Sequence, residues 1–223
     1  MKTYSIIWDF DGTLLPNDPY DSEQSLLMYK LYETQEKISL VLHALTRILI
    51  YADNREHLRK TFKRFYAWSL KGTGGNILDQ VSQRLAAKIL ETDRQAIIEL
   101  KRQGHAMMVL SCGTADLSER VLKIAGMADC FEVIEGNRFE MVNNQISGMR
   151  HIMDNPKNKV KFLQKKGIRP EHTVAIGDGY TDIPLLEWAQ IPIMLDRTGK
   201  KKALYGHKNY QFISEISEIV TIL

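Results

Sequence analysis

Asp9 and Asp11 stand two residues apart in Trp8-Asp9-Phe10-Asp11-Gly12-Thr13-Leu14, at the end of an apolar run. Tyr4 to Trp8 reads as a short buried strand of β-branched and aromatic side chains, and Gly12 ends it. Strand side chains alternate, so the two carboxylates share a face only while the chain stays extended. A turn at Gly12 instead aims them differently around one point. Carboxylates beside a buried strand end need a cation, hydrogen bonds or raised pKa values to offset desolvation and repulsion. Taken alone, the pattern also fits a turn in which Asp11 accepts from the following amides.

Three further elements narrow the choice. Ser111 follows a second apolar run beginning at Met107; a lysine-rich helix start holds Lys157, Lys159 and Lys161; and Gly177-Asp178-Gly179-Tyr180-Thr181-Asp182 follows a third run, Thr173 to Ile176. In this order the four resemble the motifs of the haloacid dehalogenase superfamily: DxDGT, a Ser or Thr, a Lys, and GDxxxD. Within it the chain is most similar to phosphoserine-phosphatase-like members, through a helical cap, Val-Leu-Ser at the second motif, a hairpin after the third strand and Gly-Asp-Gly at the fourth. The resemblance spans nearly the whole chain.

That resemblance implies a phosphoryl-transfer site. Asp9 would attack phosphorus and carry an aspartyl-phosphate, splitting one hard displacement into two easier ones. Asp11 would protonate the departing oxygen and then activate water. Magnesium suits the hard oxygens of Asp9 and Asp178 together with the Asp11 main-chain carbonyl, while Asp182 would either coordinate or hold waters and orient the lysine. Ser111 would donate to a phosphoryl oxygen alongside the amides of the Gly12 and Gly113 turns. Lys159 is the preferred phosphate-binding lysine, since Phe162 and Leu163 anchor its helix face; Lys157 is the reserve. Asp18 is the candidate to hold a substrate amine, and the matching arginine lies among Arg55, Arg59 and Arg64. The reading is therefore a magnesium-dependent phosphatase for a small phosphate ester. A phosphotransferase using the same intermediate and a non-catalytic phosphate- or macromolecule-binding protein are the alternatives, the last disfavoured because binding alone does not need Asp11.

These residues must be positioned by strand ends. From Ala106 onward strands are expected at 106–111, 131–135, 173–176 and 192–195, alternating with helices at 115–126, 158–166 and 182–189, as in a parallel sheet covered on both faces. Such a Rossmann-like α/β core opens a ligand crevice at its carboxyl edge, where every suspected group falls. Residues 16–82 read as helical, with Asp21 or Ser22 capping the first helix and others at 36–52 and 54–70, so they are expected to form an inserted cap, leaving 1–15 and 83–223 as the core domain. A further helix is expected at 85–103. Residues 138–147, with Asn143-Asn144 at their centre, look like a hairpin. Gly72-Thr73-Gly74-Gly75-Asn76 lacks a following Gly-Lys-Ser/Thr and reads as a connector, not a nucleotide phosphate loop.

Composition excludes some functions. The charge of +3 is a small difference between 30 basic and 27 acidic residues, so no nucleic-acid surface is indicated. No stretch approaches the ~18 uncharged residues of a spanning helix, and the carboxylates at 9 and 11 rule out a secretory apolar region, which makes the cytoplasm the expected location. Cys112 and Cys130 are read as reduced. The six histidines lack metal-ligand spacing, and Lys200-Lys201-Lys202 reads as a solvated charge run.

Overall fold

A computed structural model of the chain describes residues 3–33, 40–53 and 59–223. It opens with β1 (Ser5–Trp8), then five helices, α1 (Ser22–Tyr32), α2 (Leu40–Asp53), α3 (Arg59–Ser69), α4 (Gly75–Ala86) and α5 (Glu91–Arg102). The alternating part follows: β2 (Ala106–Thr114), α6 (Ala115–Ile124), the hairpin β3 (Val133–Val142) and β4 (Gln145–Arg150), α7 (Lys157–Lys165), β5 (Thr173–Gly177), α8 (Ile183–Trp188), β6 (Ile191–Leu195), α9 (Lys201–Tyr205), β7 (Gln211–Ile213) and α10 (Ile219–Ile222). The seven strands lie in the order β4-β3-β2-β1-β5-β6-β7. All neighbours are parallel except β3 and β4.

Period-two alternation explains how one sheet carries two apolar layers. Ile6 and Trp8 of β1, Met107 and Val109 of β2, Val174 and Ile176 of β5, and Ile193 and Leu195 of β6 face one buried cluster, which continues into Leu26, Leu27, Phe62, Tyr66, Leu78 and Val81 of the helical insert. Ile7, Met108, Leu110, Ala175 and Met194 face the other, with Leu163 of α7 and Leu185 and Leu186 of α8. Strands buried on both faces read as continuous apolar runs, which is why they are visible in the sequence.

Local chemistry sets the ends of several elements. Asp21 caps α1, its Oδ1 accepting from the Gln24 amide at 2.7 Å, as expected. Asn143 and Asn144 turn the hairpin at φ of 49° and 60°, a left-handed pair that asparagine tolerates. Where one helix is expected over 85–103, the chain breaks between α4 and α5: Leu90 is extended, and Glu91 and Asp93 begin a new first turn that complements the helix dipole. Residue 82 thus lies inside α4, which packs on α1 within the insert and on α6 of the alternating part. β7 has no counterpart in the sequence reading, because its three residues give no period to count. The expected helix starts at 36–39 and 54–58 fall outside the described residues.

β1 is the topological switch point. The chain leaves it toward β2 on one side and later returns to β5 on the other, so the strand ends open a crevice between them.

Candidate active site

Asp9 follows β1 directly, and its amide donates to the Ile176 carbonyl at 2.9 Å, so the sheet ladder itself fixes where this carboxylate begins. Its side chain is buried, 4% exposed. Lys159, from the first turn of α7, is fully buried and donates to Asp9 Oδ1 at 2.6 Å and to Asp182 Oδ1 at 2.7 Å. The other oxygen of Asp182 accepts from the Asp178 and Gly179 amides at 3.0 and 3.1 Å, which folds the loop after β5 around it. Gly177 is required there, since a Cβ would lie 2.4 Å from the Asp182 side chain. Lys157, the reserve lysine, is exposed.

One carboxylate oxygen from each of Asp9, Asp178 and Asp182 lies within 4.8 Å of the others. Burial, Asp182 and Asp178 raise the Asp9 carboxyl to about 7, against the opposing pull of Lys159. Burial also lifts Asp178, opposed by Lys201. Lys159 is pulled down by burial, but Asp182 and Asp9 more than offset that and hold its ammonium charged. Carboxylates left this crowded after two ammonium groups have paired with them fit a hard divalent cation, which favours their ionised forms. The hard oxygen donors match magnesium or calcium better than a softer metal.

Asp11 points elsewhere. Its Oδ1 accepts from the Ser22 amide at 2.8 Å and its Oδ2 from the Ser22 hydroxyl at 3.0 Å, so the start of α1 holds the carboxyl away from the lysine. Burial, then the charge of Asp21, pushes it well above the usual carboxylate range. A carboxyl shifted in this direction is suited to work as a general acid.

A cavity of about 330 Å³ joins these groups; its lining includes Asp9, Asp11, Asp178, Ser111, Gly113 and Glu23. Ser111 sits where β2 departs from regular pairing: Leu110 opposes Glu135, and the next matched pair is Thr114 with Asn137. The Gly113 amide, expected to face a phosphoryl oxygen, instead donates to the Ser111 hydroxyl at 2.8 Å. That leaves the serine's own hydrogen to donate into the cavity. Gly12 and Asp18 line a second cavity that shares Asn17 and Asp178 with the first, together with Arg197 and Lys201. Asp18 is exposed, while Asp21, Glu23 and Gln24 line the main cavity. Of the three arginines, Arg64 is exposed; Arg55 and the side chain of Arg59 lie outside what the structure describes.

Some participants carried no usable sequence signal. Lys201, from the lysine triplet, contacts both Oδ2 and the main-chain carbonyl of Asp178. Glu23 of α1 forms a buried ion pair with Lys63 of α3 and accepts from Thr114 Oγ1 at 2.7 Å. Nothing in a charge run or an amphipathic helix separates such groups from solvated ones.

Comparison with known proteins agrees with this geometry. Residues 6–187 match the model of the haloacid dehalogenase-like hydrolases. A phosphoserine phosphatase from Archaeoglobus fulgidus is 30% identical over 129 residues, covering 56% of this chain and 36% of the relative, so the chain matches about a third of that protein's length. Pyrophosphatase PpaX from Bacillus cereus is 24% identical over 190 residues, 82% of this chain and 78% of the relative. Among solved structures, a phospho-aspartyl intermediate analogue of phosphoserine phosphatase superposes with a TM-score of 0.69 at 21% identity, covering all of both chains. Among the described residues no helix is long and apolar enough to cross a membrane. The chain belongs to the haloacid dehalogenase-like hydrolase family, and within it resembles the phosphoserine phosphatases.

Proposed function

We propose that this protein is a magnesium-dependent phosphomonoesterase that hydrolyses a small phosphate ester through an aspartyl-phosphate on Asp9. One observation carries the reading: Asp9, Asp11, Ser111 and Asp178 line a single cavity, and a buried lysine is held against Asp9. The family shared with phosphoserine phosphatases supports it. Magnesium, held by Asp9, Asp178 and the Asp11 main-chain carbonyl with Asp182 alongside, would neutralise charge on the phosphoryl group.

The chain's own residues account for the remaining steps. An Asp9 oxygen attacks phosphorus as the ester oxygen departs, and Asp11, whose carboxyl is raised by desolvation and by the charge of Asp21, gives that oxygen its proton. Lys159 keeps Asp9 oriented and offsets negative charge as it builds, while the Ser111 hydroxyl donates to a phosphoryl oxygen. Asp11, now ionised, takes a proton from water, whose oxygen attacks phosphorus, and the Asp9–phosphate bond breaks to release inorganic phosphate. Ser22 holds Asp11 in one place for both transfers.

A cavity of this size suits a phosphorylated metabolite rather than a macromolecule, and phosphoserine is the first compound to test. Hydrolysis of an aryl phosphate with magnesium, abolished in Asp9→Asn, is the expected result. Undiminished turnover in that variant would remove Asp9 from the mechanism. Added alcohols test the acceptor: release of inorganic phosphate alone supports hydrolysis, and alkyl phosphate products would reassign the protein as a phosphotransferase.

A further inference from the structure

Asn137 of β3 is fully buried, and its amide bridges two segments that both lead to the cavity. Its Nδ2 donates to the Cys112 carbonyl at 3.0 Å, and its Oδ1 accepts from the Ile152 and Met153 amides at 2.9 and 3.0 Å. Cys112 lies between Ser111 and Gly113, where the β2–β3 ladder is interrupted. The Asn137 amide thus donates to a carbonyl inside the interruption and ties it back to β3. Gly136 allows the approach, because a Cβ there would lie 3.0 Å from the Gly113 carbonyl oxygen and 3.1 Å from that of Ser111.

The acceptor side of the same amide reaches the other segment. Ile152 and Met153 precede α7, and the Ile152 carbonyl accepts from Asn158 Nδ2 at 3.1 Å. Asn158 is the residue before Lys159. A continuous path thus runs from the Ser111 loop through Asn137 to Ile152, Asn158 and the helix turn that carries Lys159. Only a side chain with a donor and an acceptor on one rigid plane serves both ends.

We propose that Asn137 is the positioning residue of the phosphate subsite, fixing the separation between the Ser111 loop and the Lys159 helix. This rests on the reading of Ser111 as the donor to a phosphoryl oxygen and of Lys159 as the charge that orients Asp9 and offsets the phosphoryl group. The metal carboxylates come from the loops that follow β1 and β5, and among the described residues their hydrogen-bond partners do not include Asn137. Asn137→Asp keeps the shape and the acceptors but sets an oxygen against the Cys112 carbonyl.

The test compares wild type, Asn137→Asp and Asn158→Ala for kcat and KM on an aryl phosphate, for orthovanadate affinity, and for magnesium affinity by calorimetry. Displacing a reacting group by an ångström costs on the order of 100-fold, so Asn137→Asp is expected to lose roughly 10- to 100-fold in kcat and in orthovanadate affinity. Magnesium affinity should stay within about twofold. Asn158→Ala, at the accessible end of the path, folds even if the buried substitution does not, and should lose orthovanadate affinity in the same sense. An active wild type whose Asn158→Ala and folded Asn137→Asp forms bind orthovanadate unchanged, or lose magnesium and orthovanadate in parallel, overturns the assignment alone. A wild type that neither hydrolyses the ester nor binds orthovanadate overturns the phosphatase reading and this assignment with it.

Discussion

Gly12 holds φ at +82°, and a Cβ there would lie 2.4 Å from the Asp178 carboxylate carbon. The glycine is therefore needed twice, once for the left-handed turn after Asp11 and once for the room Asp178 occupies. Gly12→Ala should cost about 1–2 kcal/mol for the backbone conformation and push Asp178 aside. Magnesium affinity measured by titration should then fall about 10- to 100-fold; unchanged affinity would show that Asp178 is not a ligand. At this scale the sequence was legible where residue type and strand end coincide, as at Asp9, Asp11 and Asp178. Lys159 could be chosen over Lys157 because Leu163 puts its helix face inside. Lys201 could not, since a lysine triplet looks the same whether its middle member is solvated or resting on a carboxylate. Asp18 was preferred for its distance from the first motif, but it is Asp21 and Glu23, one helical turn later, that reach the main cavity.

Between elements, the contact of most consequence is the buried pair of Glu23 and Lys63, 3% and 4% exposed. It ties α1 to α3 and, through Thr114, to the end of β2 beside Ser111. Two charges removed from water repay their desolvation only as a pair. Lys63→Met should cost about 3–5 kcal/mol by leaving Glu23 buried alone, whereas adding Glu23→Gln should restore much of that loss. Urea unfolding of the two single variants and the double variant gives the coupling directly, and additive losses would show the pair to be dispensable. Such a link joins residues forty positions apart and cannot be read from local pattern. What could be read was periodicity: the four core strands, the hairpin and the capped α1 each announce themselves within a few residues. The break between α4 and α5 was invisible for the opposite reason, because Lys88-Ile89-Leu90 contains neither Gly nor Pro and continues an acceptable helical phase.

Across the whole molecule, the site closes only when the two ends of the chain meet. Asp9 arrives from β1 and Asp178 from β5, the adjacent central strands, while the apolar cluster under that face of the sheet continues without interruption into the helical insert. A cation held at this seam binds the folded chain far better than the unfolded one, where the carboxylate of residue 9 is on average distant from those of residues 178 and 182. Binding of that kind stabilises by mass action, about 2.7 kcal/mol at a hundredfold excess over Kd. For a chain of this length, each kcal/mol moves the unfolding temperature by about 2–4 °C. Magnesium at that excess should therefore raise Tm by roughly 5–10 °C, and chelation should reverse the shift. Because the insert shares the same apolar cluster, fluorescence and circular dichroism should report the rise as one transition rather than two. Asp178→Asn, with one ligand oxygen exchanged for a weaker neutral donor, should abolish most of the increase; an equal rise in that variant would place the stabilising cation elsewhere on the protein.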